Sequence, residues 1–451
     1  MICASGVRAD GQGIDSLVRL SVLIGALNSG CGLLRSVFMG IRMWCDAWNV
    51  RRARAVVLVA ATIGLLVRML VAVNTPGPAD VRIFQGFAKA VTVYGPVRIY
   101  EQPLPGLPVY NHPPLAGWML LGLNELAEIG IPFGVLIRSP ASIADFFCTL
   151  IVFEIARRRR SLRTAVACGI GVALCPVLIA TSGYHGNTDA VAIAFAFAAA
   201  YLLADRRSPL AAGVAAALSI SVKFIPVVVI PALFVVALRG GRPVFVRFTA
   251  GFTALVALVW GPVLVAVPEN LKENVLEYAG GGYRLWGLVR FADALGLPEA
   301  FIAFIRGEGH YISVVICVAV GVWLALVRPA QLPGAVAVTM GLLLLLTTAS
   351  GLQYLTWAAA GMFVIGFWEG LAYSCVLGWT AVLGYQGRSA VRWSETVLQL
   401  GTAGWFVLAI CLVTGVRKIL ATPPDWPSSS PAEPASVTAP RTSHPSGSAV
   451  N

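Results

Sequence analysis

From about residue 55 to residue 416 the chain alternates long apolar runs with short polar or basic clusters. At about 1.5 Å of rise per residue, roughly 20 such residues span the ~30 Å hydrocarbon core of a bilayer as a helix. The runs show no period-two alternation, so they do not read as the strands of a closed barrel, the other structure that satisfies its backbone in lipid. The pattern predicts an all-α polytopic bundle of about twelve transmembrane helices. They fall near 55–73, 139–156, 162–182, 189–204, 209–222, 224–238, 247–267, 311–328, 334–349, 355–368, 371–384 and 398–416. The pieces within 209–238 and 355–384 are short for full crossings.

Composition agrees: 58% of the 451 residues are hydrophobic and 12% are charged. The formal net charge of +12 does not point to nucleic acid, because the cations sit in short clusters beside apolar runs, as cytoplasmic anchors do. "RRAR" at 51–54, "RRRRSLR" at 157–163, "DRR" at 205–207, "RGGRPVFVR" at 239–247, "VRP" at 327–329 and "RK" at 417–418 all fall on one side if both termini are cytoplasmic. The polar connections 74–138, 183–188, Lys223, 268–310 and 350–354 then face the other, outer side. This divides the chain into an interfacial or poorly ordered segment 1–50, a transmembrane catalytic region 51–418 with outer loops 74–138 and 268–310, and a Pro/Ser/Ala-rich tail 419–451 expected to be disordered and cytoplasmic. No cleavable signal peptide of the usual form is seen, and the first crossing is expected to serve as its own insertion signal. Cysteines are scattered through apolar runs with no C-x-x-C pair, which argues against a disulfide framework.

The outer segments carry the candidate chemistry. Asp80 opens "DVRIFQGFAKAV", where Val81, Phe84, Phe87, Ala88 and Val91 recur at helical spacing, an amphipathic helix expected to lie on the membrane surface. Asp80 is either a first-turn acid that favours this helix end or a reactive carboxylate. "AGWMLLGLNELAEIGI", with Asn124, Glu125 and Glu128, reads as a juxtamembrane helix on the same side. In "SGYHGNTDA" (182–190), Asn187 or Thr188 suits an N-cap for a helix starting near Asp189, whose free N–H groups also suit a phosphate oxygen; a cap does not need His185. Lys223 lies between apolar stretches, where a cation is costly and usually meets an anion, unless its amine snorkels to the interface. Arg284 and Arg290 flank Trp286 in "YRLWGLVR", and Trp286 and Tyr283 offer aromatic faces or simply belong to an interfacial belt. His112, His185 and His310 come from distant loops without metal-ligand spacing, so no metal site is expected, and no phosphate-binding glycine loop is present.

Five segments occur in an order that resembles the C-type integral-membrane glycosyltransferases, notably those using lipid-phosphate sugars. They are the acid after the first crossing with "YNHPPL" and "IRSPASIADFF", then "CPVLIATSGYHGNTDA", "SISVKFIPVVVIP", "YRLWGLVR" and "SGLQYLTW". Together they run from about residue 51 to residue 368. The resemblance implies an inverting transfer of a hexose, mannose before glucose or arabinose, from a polyprenyl- or dolichyl-phosphate carrier to an acceptor hydroxyl on the outer face. Asp80 would be the general base. Lys223, His185, Arg284, Arg290 and Asn187 would meet the donor phosphate, and Tyr110, His112, Asp189, Trp286, Gln353 and Tyr354 would line the substrate site. No cofactor is implied. The partners would be the lipid donor, membrane lipid and a glycan, glycolipid or protein acceptor, and a bacterial inner membrane is favoured over the endoplasmic reticulum. The rival reading is a transporter or flippase for a lipid-linked sugar, which broken helices and an intramembrane lysine would also suit. Against it, no inverted repeat is found and the polar groups gather on one face.

Overall fold

The computed structural model describes residues 49–278, 287–348, 351–386 and 390–422. All of its regular structure is helical among the described residues, and a helix stands at each of the twelve stretches picked out by hydropathy. In chain order, α1 is Val50–Asn74, α2 Ala79–Arg98, α3 Pro114–Glu128, α4 Phe133–Arg157, α5 Leu162–His185, α6 Asp189–Ala204, α7 Pro209–Val222, α8 Ile225–Arg239 and α9 Arg242–Ala266. Two short helices, α10 (Leu288–Ala294) and α11 (Glu299–Gly307), lead to α12 (Gly309–Val327), α13 (Pro329–Leu346), α14 (Leu352–Ile365), α15 (Phe367–Tyr385) and α16 (Glu395–Ala421). Seven of them, α1, α4, α5, α9, α12, α13 and α16, are long and apolar enough to cross a bilayer unaided, against the twelve crossings expected. The shortfall of five comes from α6, α7, α8 and α14, which are apolar but brief, and from α15, which has the length but is not among the seven. The chain is a multi-pass membrane protein.

Burial varies widely among the seven long helices. Only 22% of the apolar window of α9 is buried inside the protein, against 72% for α13, so the long outer helices present leucine, valine and isoleucine to lipid. The short ones sit inside. Small side chains let them approach: α7 packs on α6 and α9, and a Cβ on Gly213 would stand 2.0 Å from the Phe248 carbonyl oxygen of α9. At about 1.5 Å per residue, the 16 residues of α6 and 14 of α7 reach only about 24 and 21 Å, short of the hydrocarbon thickness. Their ends, Asp189 and Lys223, are therefore recessed. Five of the six described cysteines are buried in this helical core and none is disulfide-bonded.

The segment between α1 and α4 departs from expectation. The buried face of α2 is Val81, Phe84, Phe87, Ala88 and Val91, the residues its periodicity selected, joined by Pro96 beyond a kink at Gly95. This face does not lie on the membrane. It packs with Tyr100, Tyr110 and Leu120 against Trp260, Val263 and Val267 at the end of α9, because protein side chains close around the ridge more fully than lipid would. α3 closes the other side, where Asn124 donates to Thr92 (3.2 Å) and to Glu128 (3.2 Å). These helices form a small apolar unit that holds Asp80 at its edge.

At the opposite end of the bundle the basic clusters bond helix termini. Arg160 donates to the carbonyls of Val364 and Ile365, where α14 stops, and Arg239 to that of Leu326 near the end of α12. Arg328 donates to the Leu420 carbonyl of α16 at 2.8 Å, and Arg159 to Ala330 at 2.9 Å. Arg160, Arg239 and Arg328 face carbonyls that a helix C-terminus leaves without an internal partner, whereas the Arg159 acceptor lies in the first turn of α13.

Candidate active site

Pro176 has no N–H and cannot continue the ladder of α5, which breaks after Ala173 and resumes as a π-helical turn over Ile179–His185. Arg68, from the middle of α1, donates to the carbonyls of Val172 (3.3 Å) and Ala173 (2.9 Å) at that break. Its Nε lies 3.1 Å from Asp145 of α4, both side chains being almost wholly buried. A buried charge survives in such a place only when paired. The pair ties three helices together directly below the turn that carries His185.

That turn ends at Gly186, whose φ of 79° lies in the left-handed region. Arg138 of α4 passes beside it, its guanidinium donating to the carbonyls of Ala72 (2.9 Å) and Thr75 (3.0 Å) at the end of α1. His185 is thereby fixed between two partners. Its Nε2 lies 3.1 Å from Asp80 Oδ2, and its Nδ1 lies 2.9 Å from the hydroxyl of Tyr385, the last residue of α15.

Asp80 does not cap its helix: the N-cap position is Pro78, and no side chain caps there. The carboxylate instead points to His185 and keeps 42% of its surface open. Burial pushes the Asp80 carboxyl up, but the contact with His185 and the charges of His185 and Lys223 outweigh it. Its pKa stands below the ordinary 3.8, and the group is an anion at neutral pH.

A second chain of contacts runs alongside. Asn187 donates to Asp189 Oδ2 at 2.7 Å, and Asp189 Oδ1 lies 3.8 Å from Lys223 Nζ. The expected cap on α6 is not made, since the N-cap Thr188 offers no side-chain bond and Asn187 is drawn to the carboxylate. Lys223 occupies extended backbone just past α7, and its side chain remains 19% exposed. Its charge reaches both Asp80 and His112.

His112 is placed differently from the open lining position expected of it. It is buried, stacked on Phe84 with ring centroids 5.1 Å apart, and burial, helped by the charge of Lys223, lowers its imidazole well below 6.5 so that it is neutral. Tyr110, 1% exposed, packs edge-on against Phe87 and Tyr100 and belongs to the apolar core of the α2–α3 unit instead of lining a surface. Gln353 and Tyr354 lie on the turn that enters α14, which packs against the π turn; Tyr354 stacks on Trp357 at 4.5 Å. Arg290 stands on α10, and no ion pair or hydrogen bond joins it to the Asp80 cluster among the described residues. Tyr283, Arg284 and Trp286 lie outside the described residues. Among the described residues no group of three His, Cys, Asp or Glu is disposed to hold a metal ion.

Two carboxylates, a histidine and a lysine from four separate segments thus meet at one end of the bundle. Residues 111–265 match the family described as dolichyl-phosphate-mannose-protein mannosyltransferase. The chain resembles the C-type glycosyltransferases. The matched stretch carries His185, Asn187, Asp189 and Lys223, three of the five ordered segments wholly or in part. Among solved structures, ArnT from Cupriavidus metallidurans bound to undecaprenyl phosphate is similar at 14% identity, covering 80% of this chain and 78% of that one, with a TM-score of 0.44. No curated protein sequence matches the chain.

Tyr385, Arg138 and the Arg68–Asp145 pair were not singled out by the sequence. Tyr385 closes an apolar run and reads as a belt tyrosine. A charge-pairing rule applied to apolar runs would have flagged Arg68 and Asp145, which stand alone in theirs.

Proposed function

We propose that the protein transfers a hexose, mannose in the first instance, from a polyprenyl-phosphate carrier to an acceptor hydroxyl on the outer face of a bacterial inner membrane. The ionised Asp80 carboxylate, partly open and gathered with His185, Asp189 and Lys223 at one end of the bundle, carries this reading. In a direct displacement the acceptor oxygen attacks the anomeric carbon, the bond from that carbon to the carrier phosphate breaks, and its electron pair leaves with the phosphate. The configuration inverts. The acceptor proton passes to Asp80, which acts as general base. A phosphate leaving group needs little acid assistance, so one carboxylate serves where glycoside hydrolysis employs two.

The other groups divide by charge. Lys223 takes the leaving phosphate, and Asp189 with Asn187 fixes the ammonium in place. His185 orients Asp80 and is itself held by Tyr385. Arg284, Arg290 and Trp286 are proposed to complete the phosphate and sugar contacts from the loop between α9 and α10, and Gln353 and Tyr354 to line the far wall. Glycan, glycolipid and protein hydroxyls are all compatible acceptors.

The test is transfer of label from a radioactive lipid-phosphate sugar in proteoliposomes supplied with each acceptor class. Product formed by the wild type and lost in Asp80→Asn supports the reading. Movement of labelled lipid across the bilayer with no product formed under any condition would make the protein a flippase and end the transferase assignment.

A further inference from the structure

A large cavity lies at the end of the bundle away from Asp80. It encloses about 940 Å³ between the α4–α5 turn, α14, α15 and α16. Arg158, Arg159, Arg160, Arg163 and Lys418 line it, against the carboxylate of Glu369. A preference for cations on the cytoplasmic side accounts for basic loops, but it does not require them to converge on an enclosed space.

The bonding of Arg158 and Arg160 leaves charge to spare. Glu369 is held by Lys418 at 2.6 Å, and Asp205, outside the cavity, by Arg159 at 3.0 Å. Arg158 donates to the Asp205 main-chain carbonyl at 2.9 Å, and Arg160 to the Val364 and Ile365 carbonyls. A carbonyl satisfies an N–H without neutralising a guanidinium, and each guanidinium has five N–H donors in a planar fork that suits phosphate oxygens. At the mouth, Trp368 is 72% exposed and opens the α15 helix, where an indole sits well between headgroups and acyl chains. Gly334, Gly366 and Gly415 also line it.

We propose that this cavity binds the phosphate headgroup of an anionic membrane lipid drawn from the leaflet at that end. The cations supply the anion site, the cavity volume takes the headgroup, and the exposed indole contacts the upper acyl chain. A basic pocket between transmembrane helices is the setting in which such headgroups are recognised. The site is separate from the Asp80 cluster and involves none of its residues.

The test uses the full-length protein in phosphatidylcholine nanodiscs, with retention of phosphatidylglycerol measured by native mass spectrometry. Wild type should retain phosphatidylglycerol over phosphatidylcholine. The double substitution Arg158→Gln/Arg163→Gln, on exposed side chains, should weaken retention by about tenfold or more, each cation near a membrane surface being worth about 1 kcal/mol. Ala167→Phe places a ring on the cavity lining while keeping every charge, narrows the space for a headgroup and should weaken retention, which decides the matter if the arginine variant fails to fold. Equal retention of the two lipids, or undiminished retention in Ala167→Phe, would overturn the proposal. Inorganic phosphate bound as tightly as the lipid would overturn the lipid source.

Discussion

The two ends of the bundle weight charge differently. At the arginine-rich end, beside ion pairs such as Lys418–Glu369, three cations close helix ends through main-chain carbonyls: Arg160 at the end of α14, Arg239 near the end of α12 and Arg328 near the end of α16. Those bonds close helix termini and tie neighbouring helices, a scaffolding use that tolerates solvent and salt. At the other end, side chain faces side chain: Asp80 with His185, and Asp189 with Lys223. Here the fold spends two short helices and a π turn to bring opposite charges together while leaving Asp80 and Lys223 partly open. A protein that needed only stability would have no reason to do so.

The contrast is broken most completely by topology. Val109→Cys, in the exposed loop before α3, should react with an impermeant thiol reagent added from outside, and Arg242→Cys, at the start of α9, should not. Reversed labelling would turn the two ends over. The next largest effect is on turnover: Asp80→Asn keeps the shape and removes the basicity, so sugar transfer should fall by about 10²- to 10⁴-fold with donor binding retained. Turnover close to wild type would move the base assignment to Asp189.

Asp145→Ala strips Arg68 of its buried partner and should destabilise the protein by about 3–5 kcal/mol, read as a large drop in melting temperature. Lys223→Met should weaken donor use by roughly ten- to a hundredfold, the worth of a charge-assisted contact of about 1.5–3 kcal/mol. It also sharpens the pH profile. Asp80 works as the anion, so the wild-type rate should hold as pH falls toward 3.8 and fail only as pH drops through the depressed pKa. Removing Lys223 takes away one of the influences holding that pKa down, so the acid limb should move to higher pH. The smallest effect belongs to the arginine-rich end. Arg54→Gln breaks a surface pair with Glu154 and should change stability by less than about 1 kcal/mol and leave transfer unaltered.

Much of this arrangement was legible in order and little of it in contact. Apolar runs located the helices because lipid imposes one pattern on every residue that faces it. Lys223 stood out because it interrupts such a run, His185 and Asp189 because they sit in a polar insert between two, and Asp80 because it follows the first crossing at the start of an amphipathic helix. Their pairing was not legible, since Asp80 meets His185, and Asp189 meets Lys223, only once four segments pack. The same limit hid Tyr385, which gains its meaning from His185 alone. Periodicity chose the correct face of α2 and the wrong partner for it, because an apolar stripe does not record whether lipid or Trp260 will cover it. His112 and Tyr110, expected to line the substrate site, are enclosed by the rings of Phe84 and Phe87, a depth that a polar tip on an aromatic body does not record in sequence.

The brevity of α6 and α7 has a further consequence. Transmembrane segments shorter than the surrounding bilayer normally thin it or tilt their neighbours, and the cost of that hydrophobic mismatch sorts proteins among membranes. Here the short segments are screened by full-length ones, since α1, α9, α12 and α16 are mostly unburied along their apolar windows and present the wall that lipid meets. The mismatch is internal. Lipids around the protein need not deform to accommodate it, and the position of the Asp189–Lys223 pair is set by helix lengths in the chain, not by the thickness of the membrane that holds it.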